Sequence, residues 1–165
     1  RAVELIEEGS TIFLGTGTTV EQMASMLPAF RLRIVTNSLS VFNLLEERED
    51  CELCLVGGMY RRRTAAFVGP TAEDTLRALG IDAAFIGANG ILDGDVSTSN
   101  MDEGRIQQLA FSKADSRYLI ADSSKIGKRD FYTFCRLDSL DAVVCEPDIA
   151  DEDRAAIEEH TQVIC

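Results

Sequence analysis

The 165-residue sequence contains no tryptophan and one histidine, and it has few basic side chains. His160 is that single histidine, and no second cysteine pair accompanies Cys51 and Cys54, so no zinc-ligand set is complete and we expect no metal site. Lysine and arginine number 16 against 28 aspartates and glutamates, which gives a formal net charge of −12. Such a chain repels DNA phosphates and acidic membranes, so we expect it to bind neither by itself.

Long apolar runs are also missing, so no segment is predicted to span a bilayer. The first eight residues are typical of the end of an amphipathic helix and not of a signal peptide. Because the sequence starts without methionine, we expect that a preceding segment has been removed. The five cysteines lie mostly in apolar contexts, as free thiols do in a reducing compartment. We therefore expect one cytoplasmic domain over residues 1–165.

What the sequence does contain is a regular alternation of strand-like and helix-like segments. Alternation of this kind predicts an α/β domain with a parallel sheet. Residues 59–68 are predicted to be an extended arm or edge strand, and residues 93–100 a polar loop. The predicted strands cover 11–14, 33–35, 53–56, 83–86, 118–121, 142–145 and 163–165, with a weaker one at 131–135. The predicted helices cover 18–27, 38–47, 71–79, 102–113 and 151–160, and a first helix is predicted to end at Gly9.

Each of the first five predicted strands runs directly into glycine or small polar residues. The carboxyl ends of parallel strands line one crevice, so we expect these clusters to form a single pocket. Its hydroxyls, amide, backbone N–H groups and one ammonium suit a phosphorylated, polyhydroxylated ligand. In chain order the clusters are Gly15-Thr16-Gly17-Thr18-Thr19, Thr36-Asn37-Ser38, Gly57-Gly58, Gly87-Ala88-Asn89-Gly90 and Asp122-Ser123-Ser124-Lys125.

The first cluster lies between a strand and a helix N-terminus, where free N–H groups and the helix dipole attract an anion. It lacks the Gly-Lys-Ser/Thr ending of a P-loop and the third glycine of a dinucleotide fingerprint, so we expect no nucleotide cofactor. A plain tight turn explains the loop about equally well, and Asn37-Ser38 could simply cap the next helix. The run Arg61-Arg62-Arg63 favours an exposed face or a subunit contact over a ligand clamp.

In this order and spacing, the series GTGTT, TNS, GG, GANG and DSSK resembles the C-terminal effector-binding domain of DeoR-family transcriptional regulators, over essentially the whole chain. The resemblance implies a fold shared with ribose-5-phosphate isomerase, glucosamine-6-phosphate deaminase and CoA-transferase-like proteins. It implies a repressor of sugar metabolism whose effector is a phosphorylated sugar or sugar alcohol. It also implies an N-terminal winged helix-turn-helix domain, outside this chain, that binds operator DNA, and symmetric half-sites predict a homo-oligomer.

The related isomerases carry a D-G-A-D motif, and the segment that resembles it here is Ile86-Gly87-Ala88-Asn89. Both carboxylates are gone, and isomerisation needs a positioned acid or base, so the resemblance implies a sensor without catalytic residues. Glu103 resembles a further isomerase carboxylate, so a small sugar-phosphate isomerase is the alternative hypothesis, and an interaction module with a vestigial pocket is a third. The sequence departs from the family pattern at Gly15 and Gly104, and both are expected at the pocket.

The resulting site hypothesis divides the pocket into two ends. The phosphate is assigned to the threonine loop together with one lysine, namely Thr16, Gly17, Thr18, Thr19 and Lys125. Ligand hydroxyls are assigned to Asn37, Asn89 and Glu103. The predicted ligand-binding set is completed by Ser38, Gly58 and Gly90.

Overall fold

Strands and helices alternate along most of the chain in the computed structural model, which describes residues 1–165. The strands are β1 (Thr11–Leu14), β2 (Leu32–Thr36), β3 (Cys51–Leu55), β4 (Met59–Arg61), β5 (Ala66–Val68), β6 (Ile81–Gly87), β7 (Gly90–Leu92), β8 (Asp95–Thr98), β9 (Ala114–Ile120), β10 (Tyr132–Arg136), β11 (Ala142–Val144) and β12 (Gln162–Ile164). The helices are α1 (Thr18–Ser25), α2 (Leu39–Leu45), α3 (Pro70–Arg77), α4 (Met101–Lys113) and α5 (Asp151–Glu158). Short 3₁₀ turns cover Ala2–Leu5, Ser123–Lys125 and Leu137–Ser139. No helix combines the length and the apolarity that crossing a bilayer requires.

Seven strands form one parallel sheet in the order β12-β11-β9-β6-β1-β2-β3. From β1 the chain builds outward through β2 and β3, then crosses back so that β6 pairs with the other side of β1. Strand order therefore reverses between β1 and β6. In open parallel sheets such a reversal leaves a crevice beyond the carboxyl ends of the two strands. The predicted α/β fold with a parallel sheet is confirmed.

The sheet is buried on both faces, as the apolar composition of its strands requires. Ile12 and Leu14 point into one hydrophobic cluster, and Phe13 between them points into the other. All three side chains have no exposed surface. This alternation places the sheet between two helical layers and fixes the register of β1, because a slip of one residue would exchange the two faces.

Two predictions about segments between the main strands were wrong. Residues 93–100 are not a loop, because β7 and β8 form an antiparallel hairpin around Asp93 and Gly94, with φ of 52° and 80°. Positive φ at both turn residues, and the Asp-Gly sequence itself, are typical of a type I′ hairpin turn. Residues 59–68 are likewise not one arm but a hairpin of β4 and β5.

The predicted first helix was also wrong in extent. It is a single 3₁₀ turn that ends at Leu5, so Gly9 does not terminate a helix but lies in a later turn with φ of 81°. The weak strand predicted at residues 131–135 is present as β10, which joins β8 and β7 in a three-stranded antiparallel sheet.

Close packing explains the glycine in the middle of α4. A Cβ atom on Gly104 would lie 2.3 Å from Cδ1 and 2.5 Å from Cε1 of the Tyr132 ring, well inside van der Waals contact. Tyr132 belongs to β10, which packs on this helix. The glycine therefore allows the helix to approach the small sheet.

We predict that Gly104→Ala destabilises the domain. Alanine in a helix interior normally gains up to about 1 kcal/mol over glycine, but here overpacking against Tyr132 should cost about 1 to 3 kcal/mol. Urea denaturation measures the free energy of unfolding of the variant, of Tyr132→Val, and of the two changes combined. The double variant should be more stable than the sum of the single effects predicts. A Gly104→Ala protein more stable than wild type would contradict this packing argument.

Candidate functional site

A cavity of about 380 Å³ lies at the carboxyl edge of the sheet, at the reversal between β1 and β6. Its wall combines the segments after β1, β6 and β9 with the turn between β4 and β5, the end of β8 and one face of α4. The polar and charged lining residues are Thr16, Thr18, Thr19, Glu21, Ser40, Arg62, Arg63, Thr64, Asn89, Thr98, Ser99, Glu103, Gln107 and Lys125. Five of the 21 lining residues are hydrophobic, so the cavity suits a polar ligand.

The N-terminus of α1 forms one end of the cavity. Gly17 is the N-cap residue with φ of 113°, a backbone conformation that favours glycine. No side chain caps this helix end. The first N–H groups of the helix therefore have no side-chain partner and, together with the hydroxyls of Thr18 and Thr19, can donate to an anion.

Lys125 reaches the same cavity from the turn that follows β9. Within that turn, Asp122 accepts hydrogen bonds from the hydroxyl of Ser124 and, at 3.0 Å, from its N–H group. The Ser124 hydroxyl lowers the pKa of Asp122, and the charge of Lys125 lowers it further. The backbone N–H of Ser123 donates to Glu146 Oε1 at 2.7 Å, which ties the turn to the segment after β11. After Lys125, the N–H of Gly127 donates to the carbonyl of Ile91 at 2.9 Å, so the turn is held on both sides of Lys125.

The turn between β4 and β5 covers the cavity with Arg62, Arg63 and Thr64. Its position is fixed by the backbone, because the N–H of Leu39 donates to the carbonyl of Ala65 at 2.8 Å. Both arginine side chains are exposed and also line the cavity. The interpretation of these arginines as an exposed face or subunit contact, in preference to a ligand clamp, therefore missed their place at the cavity.

Glu103 is the buried carboxylate of the site, with 4% of its surface exposed. It lies in the first turn of α4, where Asn100 Oδ1 caps the helix by accepting from the N–H of Glu103 at 3.1 Å. Its Oε1 accepts a hydrogen bond from the hydroxyl of Thr64 and lies 3.7 Å from Nε of Arg61. The carboxylate therefore joins α4 to the β4–β5 hairpin.

Seven of the eleven predicted site residues come together at the cavity. They are Thr16, Gly17, Thr18, Thr19, Asn89, Glu103 and Lys125. Asn89 is exposed, and its Nδ2 donates to Asp130 Oδ2 at 2.8 Å, so its amide oxygen is free to accept. Ligand binding by these residues stays a prediction.

The other four predicted site residues lie outside the cavity lining, and each has a structural role. Ser38 caps α2 by accepting from Val41 N at 3.2 Å, and Asn37 donates to the carbonyl of Phe67 at 3.2 Å. A Cβ atom on Gly58 would lie 2.6 Å from the carbonyl oxygen of Val68, and one on Gly90 would lie 2.5 Å from that of Lys128. These positions therefore serve capping and close backbone packing.

Gly15 and Gly104 do not line the cavity, contrary to expectation. Gly104 faces Tyr132, and a Cβ atom on Gly15 would make ordinary contact with Ile86 at 3.5 Å. Thr98, Ser99 and Gln107 also line the cavity, although the predicted site did not include them. The Asp-Gly turn would have placed the first two at the end of a strand. Helical spacing from Glu103 would have indicated the third, since residues four apart share a helix face.

No group of three or more His, Cys, Asp or Glu side chains is arranged to hold a metal ion. The five cysteines are free. Burial raises the pKa of the Cys135 and Cys145 thiols to about 12, so both stay protonated at neutral pH and are poor nucleophiles.

Comparison with known proteins identifies relatives over the whole chain. The model of the DeoR C-terminal sensor domain matches residues 1–146. A lactose phosphotransferase system repressor of Staphylococcus epidermidis is 42% identical over 165 residues, covering 99% of this chain and 65% of the relative. A repressor of the same name from Streptococcus mutans is 38% identical, covering 99% of this chain and 66% of the relative. The chain thus spans slightly less than two thirds of the staphylococcal repressor.

Solved structures share the fold at low sequence identity. Ribose-5-phosphate isomerase A from Methanocaldococcus jannaschii has a TM-score of 0.53 at 19% identity, over 76% of this chain and 50% of the isomerase. The translation initiation factor eIF-2B from Pyrococcus horikoshii has a TM-score of 0.55 at 11% identity, over 86% of this chain and 58% of that protein. The predicted isomerase-like fold is therefore confirmed.

Family and relatives also bear on the choice between sensor and enzyme. The matching family is one of sensor domains, and the sequence relatives at 38–42% identity are named repressors. The prediction that this chain is not an enzyme is confirmed on that basis. The chain belongs to the family of DeoR C-terminal sensor domains.

Proposed function

We propose that the cavity binds a phosphorylated sugar or sugar alcohol, and that this ligand is the effector of a transcriptional repressor of sugar metabolism. The observation that carries the proposal is the meeting of Lys125 with the uncapped N-terminus of α1 in one polar cavity. The names of the relatives, lactose phosphotransferase system repressors, agree with an effector from sugar metabolism.

Charge at the cavity favours a phosphate in spite of the acidic chain. A phosphate monoester carries about −1.5 to −2 charges at neutral pH. The net charge of −12 is spread over the whole surface, and salt screens it beyond about 8 Å under physiological conditions. Three cations, Arg62, Arg63 and Lys125, line the cavity together with two carboxylates, Glu21 and Glu103. Glu103 is already paired with Arg61. Local attraction therefore outweighs the distant repulsion.

The other end of the cavity suits the hydroxyls of a sugar. Glu103 and the amide oxygen of Asn89 can accept hydrogen bonds, and Ser99 and Thr98 can donate or accept. Aldose–ketose isomerisation in the same cavity is disfavoured, because Ile86 and Asn89 provide no acid or base where the related isomerases have carboxylates.

We predict that Lys125→Met weakens binding of a phosphorylated sugar about ten- to hundredfold, since a hydrogen bond to a charged group contributes roughly 1.5–3 kcal/mol. Isothermal titration calorimetry with a panel of pentose and hexose phosphates measures the affinities. Lys125 forms no ion pair, so the melting temperature of the unliganded protein should barely change.

Lys128→Met is the matched control, because Lys128 is exposed and does not line the cavity. It should bind the panel as wild type does, and the unphosphorylated sugars should stabilise wild type far less than their phosphates. If Lys125→Met binds the phosphates as tightly as wild type, the assignment of the phosphate site is wrong.

DNA binding is assigned to a winged helix-turn-helix domain N-terminal to this chain. At about 0.15 M salt, where non-specific contacts are weak, we predict that the 165-residue chain alone does not retard operator DNA in a gel-shift assay. A full-length protein should retard it. The effector should change the affinity for DNA, because a ligand that binds one arrangement of the subunits more tightly than another shifts the population toward that arrangement. Retardation by the isolated chain would contradict this division of roles.

We propose that the chain forms at least a dimer, because DNA-binding regulators match symmetric half-sites with symmetric subunits. The β4–β5 hairpin is a candidate contact, since Met59 and Tyr60 are 73% and 44% exposed. Light scattering at micromolar concentration should give at least twice the chain mass of 18.1 kDa. A single species of the monomer mass would count against the proposal.

A further inference from the structure

Gln107 is a buried polar residue of the cavity that no other contact explains. It lies on α4, lines the cavity, and has 6% of its surface exposed. Its Nε2 donates to the carbonyl of Gly87 at 3.5 Å, which is a long hydrogen bond. Its Oε1 is fully buried, and no donor of the protein reaches it. A buried acceptor without a partner is costly, so a partner is expected.

The orientation of this amide follows from its neighbour. The carbonyl of Gly87, at the end of β6, can only accept a hydrogen bond. If the amide of Gln107 were rotated by half a turn, its oxygen would face that carbonyl and two acceptors would meet. The NH₂ group therefore faces Gly87, and the free atom of Gln107 is the acceptor.

Glu103 adds a second acceptor beside the first. It lies four residues before Gln107, so the two side chains share one face of α4 with Cβ atoms about 5–6 Å apart. Thr64 donates to one of its carboxylate oxygens. This wall of the cavity therefore presents acceptors from α4. A carboxylate or phosphate group of a ligand has no proton to donate to them at neutral pH, whereas a hydroxyl group has one.

We propose that Gln107 determines specificity: its side chain, which already lines the cavity, shifts so that Oε1 accepts a hydrogen bond from one hydroxyl group of the ligand. This inference rests on the proposed function, since it assigns the polyol end of a phosphorylated sugar to the α4 wall. Lys125 and the N-terminus of α1 then hold the phosphate, and Gln107 distinguishes sugars that place a hydroxyl at this position from those that do not. A site built for a hydroxyl rejects the analogue that lacks it, because the buried acceptor stays unpaired.

The test combines ligand and protein changes. Calorimetry measures the binding of glucose 6-phosphate, galactose 6-phosphate and fructose 6-phosphate, and of the monodeoxy analogues of each, to wild type, Gln107→Met and Gln108→Met. Methionine keeps the length of glutamine and removes both polar atoms. Gln108 follows on the same helix but is exposed and outside the cavity, so its variant is the matched control.

For the hexose phosphates that bind, we expect Gln107→Met to bind about ten- to hundredfold more weakly than wild type, which corresponds to leaving one hydroxyl without its partner. One monodeoxy analogue should lose the same factor on wild type, and Gln107→Met should bind that analogue and its parent equally. Gln108→Met should behave as wild type. The melting temperature of unliganded Gln107→Met should not fall, because the substitution removes an unpaired buried acceptor.

Two different failures are distinguishable. If wild type binds a hexose phosphate but treats all its monodeoxy analogues alike, or if Gln107→Met keeps the wild-type preference, the role of Gln107 is refuted while the proposed function stands. The wild-type arm decides this even where the variant does not fold. A Gln107→Met protein that melts earlier and weakens every ligand equally would show a structural role instead. If wild type binds none of the pentose and hexose phosphates of the calorimetric panel, the proposed function fails, and the inference fails with it. If it binds pentose phosphates alone, the same comparison is made with their monodeoxy analogues.

Discussion

The reversal of strand order between β1 and β6 is the constraint on which the site depends. A parallel sheet places all its carboxyl ends on one edge, but neighbouring loops normally continue in one direction and cover each other. Where the order reverses, the loops after β1 and β6 diverge and leave a crevice. Thr16–Thr19 follow β1, and residues 88 and 89 follow β6, so the two central clusters flank this crevice. The segment after β9, next to β6, brings Lys125 to it. Residues 69 to 73 and 106 to 109 positions after the Thr16–Thr19 loop thus meet it because of sheet topology.

The remaining wall comes from outside the sheet, and one carboxylate holds it in place. Glu103 on α4 accepts from Thr64 and lies beside Arg61, both on the β4–β5 hairpin. The same contact positions Arg62 and Arg63 over the cavity. A buried carboxylate is costly unless it is paired, so the hairpin and the helix stabilise each other's position.

The main sheet, and the position of Thr16–Thr19 and Lys125 at the cavity, could be predicted from the sequence because each depends on short local segments. The apolar runs of β1, β2 and β6 are almost fully buried between the two helical layers, so their composition indicates strands without further information. The glycine and hydroxyl residues directly after them follow from topology alone. By contrast, Gly58 and Gly90 resembled ligand-binding glycines, although the atoms that exclude a side chain there belong to Val68 and Lys128, which are distant in the sequence. Ser38 had two possible roles, and capping of α2 is the one observed. The hairpin at Asp93-Gly94 was predictable from its dipeptide and was missed.

The acceptors on α4 explain how an isomerase-like scaffold can serve as a sensor. An isomerase must move protons, so its acid and base need to be unengaged and close to the reacting carbons. Here Oε1 of Glu103 accepts from the Thr64 hydroxyl, and Asn89 is an amide at the position where the resemblance implies a carboxylate in the related isomerases. An amide cannot carry protons between carbons, whereas buried acceptors suit discrimination between hydroxyl patterns, because a buried acceptor penalises the ligand that leaves it unpaired. In the proposed function, the phosphate end would therefore supply affinity for many ligands, and the α4 wall would select among them.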